Sequence, residues 1–130
     1  MPILCLKYRL CPTKAQATIL RSTIETCREV YNSFLNSRKH DYQVHGKSLS
    51  HYEQIKDLPK WKKDHPELLA VHSQVLQNVS VRVDLAFKAF FRRVKAGGEK
   101  PGFPRFKGDG YDSFTYPQSG FSVSGNAVTL

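Results

Sequence analysis

The sequence has few cysteines, and their spacings are not those of a metal-binding site. The three present in 130 residues are Cys5, Cys11 and Cys27, and no two are arranged as C-x-x-C. This argues against a zinc ribbon within the chain. An odd number of cysteines without a signal peptide indicates a reducing, cytoplasmic environment, with Cys5 and Cys27 at predicted core positions. No apolar run is long enough to cross a bilayer, so no membrane association is expected.

Acidic residues are also scarce, and their positions do not suggest catalysis. Eleven Asp and Glu face twenty Lys and Arg. A two-metal nuclease needs two or three carboxylates that converge on one point, whereas these carboxylates fall on predicted exposed helix faces and loops. The five histidines show no metal pair at helical spacing. The sequence therefore predicts no catalytic site, no bound metal and no cofactor in this chain.

What the chain has instead is positive charge. The formal net charge is +9, which favours a polyanionic partner, most often nucleic acid, although the same charge can serve solubility alone. Clustering strengthens the nucleic-acid interpretation, because neutralised phosphates release condensed counterions. Seven basic residues and a single acidic one, Glu99, lie within twenty positions: Lys88, Arg92, Arg93, Lys95, Lys100, Arg105 and Lys107.

Residue patterns predict one strand followed by three helices. Apolar residues alternate with others over residues 3–10, which predicts a strand with one buried face, ended by Pro12. Thr13 and Gln16 form a capping box that opens a first helix, expected to reach about Lys39. A second capping box at 50–53 opens a short helix through Ile55, ended at Leu58–Pro59, with a basic connection over 59–65. A third apolar stripe predicts one helix over about 66–96, ended by Gly97 and Gly98.

The remaining residues are rich in glycine and predict short strands. Residues 113–116 form one predicted strand, and 121–123 with 127–130 form a predicted hairpin. The fold class is therefore α+β, with a three-helix bundle (residues 13–98) inserted into a small, incomplete antiparallel β-barrel or sheet (residues 1–12 and 99–130). Because the hairpin reaches the last residue and leaves sheet edges without a partner, the chain is expected to be truncated.

Two segments are candidates for contact with nucleic acid. Ser73, Gln74, Gln77 and Asn78 form an uncharged polar face on the third helix, and glutamine and asparagine can pair with base edges. An ordinary helix surface is an equally good interpretation. In the segment 102–107, two phenylalanines alternate with cations, which suits stacking and phosphate contact, or core packing with a simple turn. We favour phenylalanines in the core and cations on phosphate.

Several short motifs, in a constant order, carry a family resemblance. The chain resembles the N-terminal region of TnpB (OrfB-type) proteins of insertion sequences, relatives of type V CRISPR effectors. The motifs cover essentially the whole chain: residues 7–13 with Gln16, Arg28-x-x-Tyr31-Asn32-x-Phe34-Leu35, Ser73-Gln74-x-Leu76-Gln77, Ala86-Phe87-Lys88-x-Phe90-Phe91-Arg92, residues 102–107, Ser113-Phe114-x-Tyr116-Pro117 and Gly125-Asn126.

The resemblance implies a wedge domain with an inserted helical recognition domain, a guide RNA, and a short duplex element read beside the target in double-stranded DNA. It places the RuvC-like nuclease carboxylates and the zinc-binding cysteines in a C-terminal nuclease domain beyond Leu130, and it implies a prokaryotic, nucleoid-associated protein. It points to Ser73, Gln74 and Gln77 as DNA readers, with Tyr52 and Thr115 as further candidates. The predicted phosphate or RNA contacts are Lys7, Arg9, Lys88, Arg92, Lys95, Lys100, Arg105 and Lys107.

Three rival functions follow from the same sequence. One is a stand-alone helix-turn-helix-like DNA-binding protein of a transposase. Another is a compact nuclease or transposase, complete in this chain. The third is a protein-interaction fragment that docks through the apolar stripe of the third helix.

Overall fold

Three helices and a small hairpin make up the fold. A computed structural model describes residues 3–46, 50–97, 102–108 and 110–130. Its elements, in chain order, are α1 (Lys14–His45), α2 (His51–Asp64), a short 3-10 helix (Pro66–Ala70), α3 (Ser73–Ala96), β1 (Ser122–Ser124) and β2 (Ala127–Thr129). The predicted α+β class with an incomplete sheet is confirmed. The division into a β domain and an inserted helical domain stays a prediction.

Helix α1 begins where its capping box predicts. The Thr13 hydroxyl accepts from the Gln16 amide, and the Gln16 side chain accepts from the Thr13 amide. The helix runs past the predicted end at Lys39, because Tyr42 continues the packed stripe by contacting the rings of Phe90 and Phe91. It ends at Gly46, whose φ of 70° is in the left-handed region that glycine adopts without steric cost.

Helix α2 was predicted to stop before Pro59, and this prediction is wrong. The capping box between Ser50 and Glu53 is present, but the helix continues to Asp64 with Pro59 inside it. Packing on both sides of the proline holds the helix together. Leu58 is buried, and the Trp61 ring lies 4.8 Å from the Phe34 ring, centroid to centroid. The residues predicted as a connection therefore form the last turns of α2.

Replacing Pro59 with alanine is expected to raise the free energy of unfolding by about 1–2 kcal/mol. An interior proline costs a helix about 3 kcal/mol relative to alanine, and the rigidity that it gives the unfolded chain returns about 1 kcal/mol of that. Its ring is exposed, so little packing is lost. Urea denaturation measures the change, with the exposed neighbour Lys60→Ala as the matched control. A loss of stability in Pro59→Ala would show that the proline ring itself stabilises the fold.

The third helix starts later than its stripe predicts. Pro66–Ala70 forms a 3-10 helix, and Val71 and His72 have extended backbones with ψ near 135°. Helix α3 therefore begins at Ser73, with the His72 Nδ1 accepting from the Gln74 amide at 3.2 Å. Buried Leu68 and Val71 follow the same apolar spacing, so the stripe continues across the break. The predicted end at Gly97 is confirmed, with φ of 68°.

The core lies among the three helices, and one charged cluster joins them. Arg38 on α1 is 2% exposed; its Nε donates to Gln54 Oε1 on α2 at 2.9 Å and its Nη2 to Asp84 Oδ1 on α3 at 3.0 Å. Its guanidinium also lies 5.6 Å from the centre of the Phe87 ring. The apolar core around it is Cys27, Val30, Tyr31, Phe34, Leu35, Leu58, Leu68, Val71, Val75, Leu76, Val79, Val83, Phe87, Phe90 and Tyr111.

The predicted strand at 3–10 is absent, and its predicted buried face is exposed. Residues 3–12 have no regular structure, and Leu4, Leu6, Tyr8 and Leu10 are each more than 60% exposed. Alternating apolar residues form a strand only beside another strand, and the described residues offer this segment no sheet neighbour. Cys5, predicted to be in the core, is likewise exposed, whereas Cys27 is buried as predicted.

The C-terminal hairpin is confirmed, and the strand predicted before it is not. Strands β1 and β2 pair antiparallel, with Val123 opposite Val128. Gly125 opens the two-residue turn with φ of 57°, the sign that hairpin turns require at this position. Residues 113–116 are irregular, and the Ser113 carbonyl accepts from the Arg82 side chain on α3.

Candidate nucleic-acid interface

After α3, the described residues 102–108 and 110–120 return along that helix from its end to its start. Arg93 donates to the Gly102 carbonyl, and Arg82 donates to the Tyr111 hydroxyl. Farther back, the Gln74 side chain accepts from the Ser119 amide. The contacts therefore move toward the α3 N-terminus as the chain proceeds. We call residues 102–108 and 110–120 the return segment.

Arg82 is the main anchor of the return segment. Its Nη1 donates to the Tyr111 hydroxyl at 3.2 Å and to the Ser113 carbonyl at 2.9 Å, and its Nη2 donates to Thr115 Oγ1 at 3.0 Å. The guanidinium also lies 5.6 Å from the centre of the Tyr111 ring. Burial raises the pKa of Tyr111, an effect that Arg82 opposes. Thr115, predicted as a DNA contact, is exposed but has a structural partner.

The basic motif at 102–107 is fixed by its backbone and by one phenylalanine. The Lys107 amide donates to Asn32 Oδ1 at 2.7 Å, and its carbonyl accepts from Asn32 Nδ2 at 2.9 Å, so one side chain satisfies both backbone groups. The Phe103 ring stacks on Phe90 at 4.8 Å. Phe106, predicted in the core, is 52% exposed, because only one of the two rings points at the helices.

The exposed cations of this motif extend the basic surface. Arg105 and Lys107 are both exposed. The Lys107 Nζ lies 5.7 Å from the centre of the Tyr31 ring, so the side chain stays close to α1. Lys100 lies outside the described residues, and its predicted role stays a prediction.

One stripe on the outer face of α3 brings six of the fourteen predicted contact residues together. Its members follow three- and four-residue steps, so they share one side of the helix over about 32 Å. All are at least partly exposed, opposite the buried face. From start to end they are Gln74, Gln77, Asn78, Val81, Leu85, Lys88, Arg92 and Lys95. We call this set the outer stripe.

The outer stripe has three chemically different parts. Its start is amide-rich, with half-buried Gln74, Gln77 and Asn78. Val81 and Leu85 in the middle are 37% and 58% exposed. The end is cationic.

The cations of the stripe differ in their contacts. Lys88 is bound to Asp84, Nζ to Oδ2 at 3.2 Å, which offsets part of its charge. Arg92 and Lys95 are exposed. We therefore expect Arg92 and Lys95 to contribute more than Lys88 to any phosphate contact.

The other predicted residues lie beside this stripe or away from it. Ser73 is exposed, and its hydroxyl accepts from Lys62 of α2 at 2.8 Å, which brings a cation to the start of α3. Tyr52 lies on α2 and is 69% exposed. Lys7 and Arg9 belong to the exposed N-terminal segment. The structure thus groups six predicted residues on one face of α3. Ser73 lies on the same helix beside that face, and the other described candidates lie on other segments.

Sequence reasoning missed Lys62, Arg82 and Asn32. Arg82 stands next to the apolar stripe of α3, and nothing in its spacing separates an anchor for distant backbone from a solvated arginine. Asn32 follows Tyr31 in a motif that carries the family resemblance, and that position was the available signal.

Burial raises the pKa of Cys27 to about 11, so this thiol is neutral and behaves as an apolar core residue.

Within the described ranges, no three His, Cys, Asp or Glu side chains come together as a metal site. Nor do these ranges contain a helix with the length and apolar character to span a bilayer.

Comparison with models of known protein families gives a match at the N-terminus. Residues 1–47 match the helix-turn-helix domain of IS605 OrfB proteins. No curated protein matches the chain. The match supports a DNA-binding, transposon-associated protein and a non-catalytic module. It covers only the N-terminal part of the resemblance described above.

The described part of the matched range does not itself form two helices. Residues 14–45 are one continuous helix, and α2 starts only at His51. Any helix-turn-helix arrangement would therefore have to pair α1 with α2. The polar residues suited to base contact lie on α3, beyond the matched range.

Proposed function

We propose that this chain is the nucleic-acid-binding module of a TnpB-type, RNA-guided DNA endonuclease encoded by a transposable element. The outer stripe of α3 reads a short motif in target double-stranded DNA. The cations around the return segment and the N-terminal segment contact the backbones of DNA and guide RNA. Cleavage is assigned to a RuvC-like nuclease domain that these 130 residues do not include, and the setting is the prokaryotic cytoplasm.

The observation that carries this proposal is the composition of the outer stripe. Half-buried amide side chains able to pair with base edges share one helix face with exposed cations suited to phosphates. A helix about 10–12 Å across fits the major groove of B-DNA, which is about 12 Å wide. The exposed Val81 and Leu85 between them suit the thymine methyl group, the apolar feature of that groove.

A second function is favoured by the family match. In it, the chain is a helix-turn-helix-like DNA-binding protein of a transposase, and no RNA takes part. Both functions predict DNA binding, so RNA is the distinguishing partner. Sequencing the nucleic acid that copurifies with the chain at low salt separates them. An RNA that maps to a transposon end supports the RNA-guided function, and DNA alone supports the second.

Two single substitutions test the division of labour along the outer stripe. Gln77→Ala is expected to lower affinity for the preferred duplex by about 1–3 kcal/mol, if the amide pairs with two base atoms, and to leave scrambled duplex unaffected. Arg92→Ala is expected to weaken both duplexes alike and to reduce the slope of log affinity against log salt by about 1. Fluorescence anisotropy over a salt series measures both. Equal losses on preferred and scrambled DNA from both variants would contradict base reading by α3.

A matched control for charge lies elsewhere on the surface. Arg21 is exposed on α1 and lies outside the outer stripe. Arg21→Ala removes the same charge as Arg92→Ala. Because Arg21 lies outside the outer stripe, its loss should leave the salt slope nearly unchanged. If it weakens binding as much as Arg92→Ala, affinity comes from net charge and not from this surface.

A further inference from the structure

Among the described residues, Gln74 is the amide of the outer stripe whose side chain is hydrogen-bonded to the return segment. Its Oε1 accepts from the Ser119 backbone amide at 2.9 Å. Because a backbone N–H can only donate, the oxygen of Gln74 must be the atom that faces Ser119. The side-chain nitrogen, with its two donors, is then the end left for another partner.

The return segment is held firmly where it makes this contact. Gly120 has φ of 94°, and a Cβ there would come within 2.8 Å of the His72 ring. The centre of the His72 ring lies 5.7 Å from that of the Tyr116 ring, and the His72 Nδ1 accepts from the backbone amide of Gln74. Residues on both sides of Ser119 are thus packed against the start of α3, so the Ser119 amide has a defined position relative to Gln74.

We propose that the Ser119 backbone amide fixes the orientation of Gln74, so that this residue recognises a base with a hydrogen-bond acceptor in the major groove. This inference rests on the proposed reading of duplex DNA by α3. A free glutamine can pair with adenine through both its donor and its acceptor. With its oxygen turned to Ser119, Gln74 contributes its Nε2 donor. Guanine, adenine and thymine offer acceptors there, whereas cytosine offers only an amino donor.

The consequence is a preference against one base. At the position that Gln74 contacts, cytosine is expected to be disfavoured about three- to tenfold, the range that one net hydrogen bond supports. Ser119 is a positioning residue in this scheme, since it acts through Gln74. Its side chain has no part in it.

Backbone and side-chain effects can be separated at this residue. Ser119→Pro removes the backbone donor, and Ser119→Ala keeps it. The probe is duplex DNA with a randomised central stretch, from which bound molecules are selected and sequenced. The wild-type chain and Ser119→Ala should both deplete cytosine at one position, and Gln74→Ala and Ser119→Pro should both lose that depletion. Salt dependence should be the same for all four.

A second variant covers the case in which proline disturbs the segment more widely. Gly120→Ala should displace the segment from His72 and remove the cytosine depletion in the same way. Wild-type preference that survives in Ser119→Pro and Gly120→Ala overturns the inference and leaves the proposed function standing. Loss of the preference in Ser119→Ala, to the same extent as in Ser119→Pro, overturns it as well. A wild-type chain with no base preference at any position overturns the proposed DNA reading itself, and the inference with it.

Amide hydrogen exchange tests the contact without any DNA. The Ser119 amide should exchange slowly in the wild-type chain and faster in Gln74→Ala. Equal exchange rates in the two proteins would show that Gln74 does not hold Ser119, and would overturn the inference.

Discussion

Replacing Phe34 with alanine is expected to lower the free energy of unfolding by about 3–5 kcal/mol, the range for a buried phenylalanine. Phe34 is fully buried on α1, and its ring lies 4.8 Å from that of Trp61 on α2. Its backbone carbonyl also accepts from the Gln54 side chain at 2.9 Å. The alanine variant leaves a cavity at the junction of α1 and α2, where the described contacts leave little room for collapse.

Urea denaturation followed by circular dichroism measures this change. A domain of this size has about 5–15 kcal/mol of total stability, so a loss at the upper end of the expected range removes a clear transition from a domain near the lower limit. Phe34→Leu is the second variant, with an expected loss of about 1 kcal/mol. Val44→Ala on the same helix is the control, because Val44 is 58% exposed. Equal losses in Phe34→Ala and Val44→Ala would contradict the packing described for α1.

Replacing Arg38 with alanine is expected to cost about 3 kcal/mol, because it breaks a buried ion pair from one side. The substitution leaves Gln54 Oε1 without its donor and removes one cation from the Asp84 carboxylate. It also removes the guanidinium that lies over the Phe87 ring. Arg21→Ala is the control for the loss of charge on α1, because Arg21 is exposed. A loss no larger than that of the control would mean that Arg38 is not needed to join the helices.

The Arg38 effect should depend on pH. Burial raises the pKa of Asp84, but hydrogen bonds and charge interactions with Arg38 and Lys88 lower it more, so the net pKa is below its ordinary value of 3.8. A carboxyl with a lowered folded pKa stabilises the fold above its unfolded pKa, and this contribution is lost as the pH falls through the folded pKa. The difference in unfolding free energy between the wild-type chain and Arg38→Ala should therefore shrink below about pH 4. A difference that stays constant there would contradict the Arg38–Asp84 pairing.

Local signals predicted the starts of α1 and α2 well. The capping boxes at Thr13 and Ser50 each satisfy backbone donors within a few residues of their own position, so no distant contact is needed to form them. The glycines that end α1 and α3 are local in the same sense, since a positive φ is available to glycine wherever it stands. The hairpin turn at Gly125 was predictable for the same reason, since it also depends on the positive φ of a glycine.

The errors share a different cause. Pro59 disfavours a helix locally, yet Leu58 and Trp61 pack against other helices and keep α2 intact. Residues 66–72 carry the spacing of a helix, yet the chain turns at His72. Buried Leu68 and Val71 before the turn keep the apolar spacing that Val75 continues after it. At the N-terminus, the alternation of apolar residues from residue 3 to residue 10 predicts a strand, but these residues could form a strand only beside a neighbouring strand.

For the candidate interface too, some features follow from local sequence and others from distant contacts. The sequence by itself determined the net charge and the amide and cationic residues of α3. It also determined their common helix face, because helical spacing alone places the members of the outer stripe on one side of the helix. Only the tertiary structure decided which of them are available. It paired Lys88 with Asp84, turned Gln74 toward Ser119, and used Arg82 and Asn32 to hold the return segment. These contacts join residues 4 to 75 positions apart, and no periodicity in the chain encodes which polar group will satisfy a backbone amide or carbonyl brought close by folding.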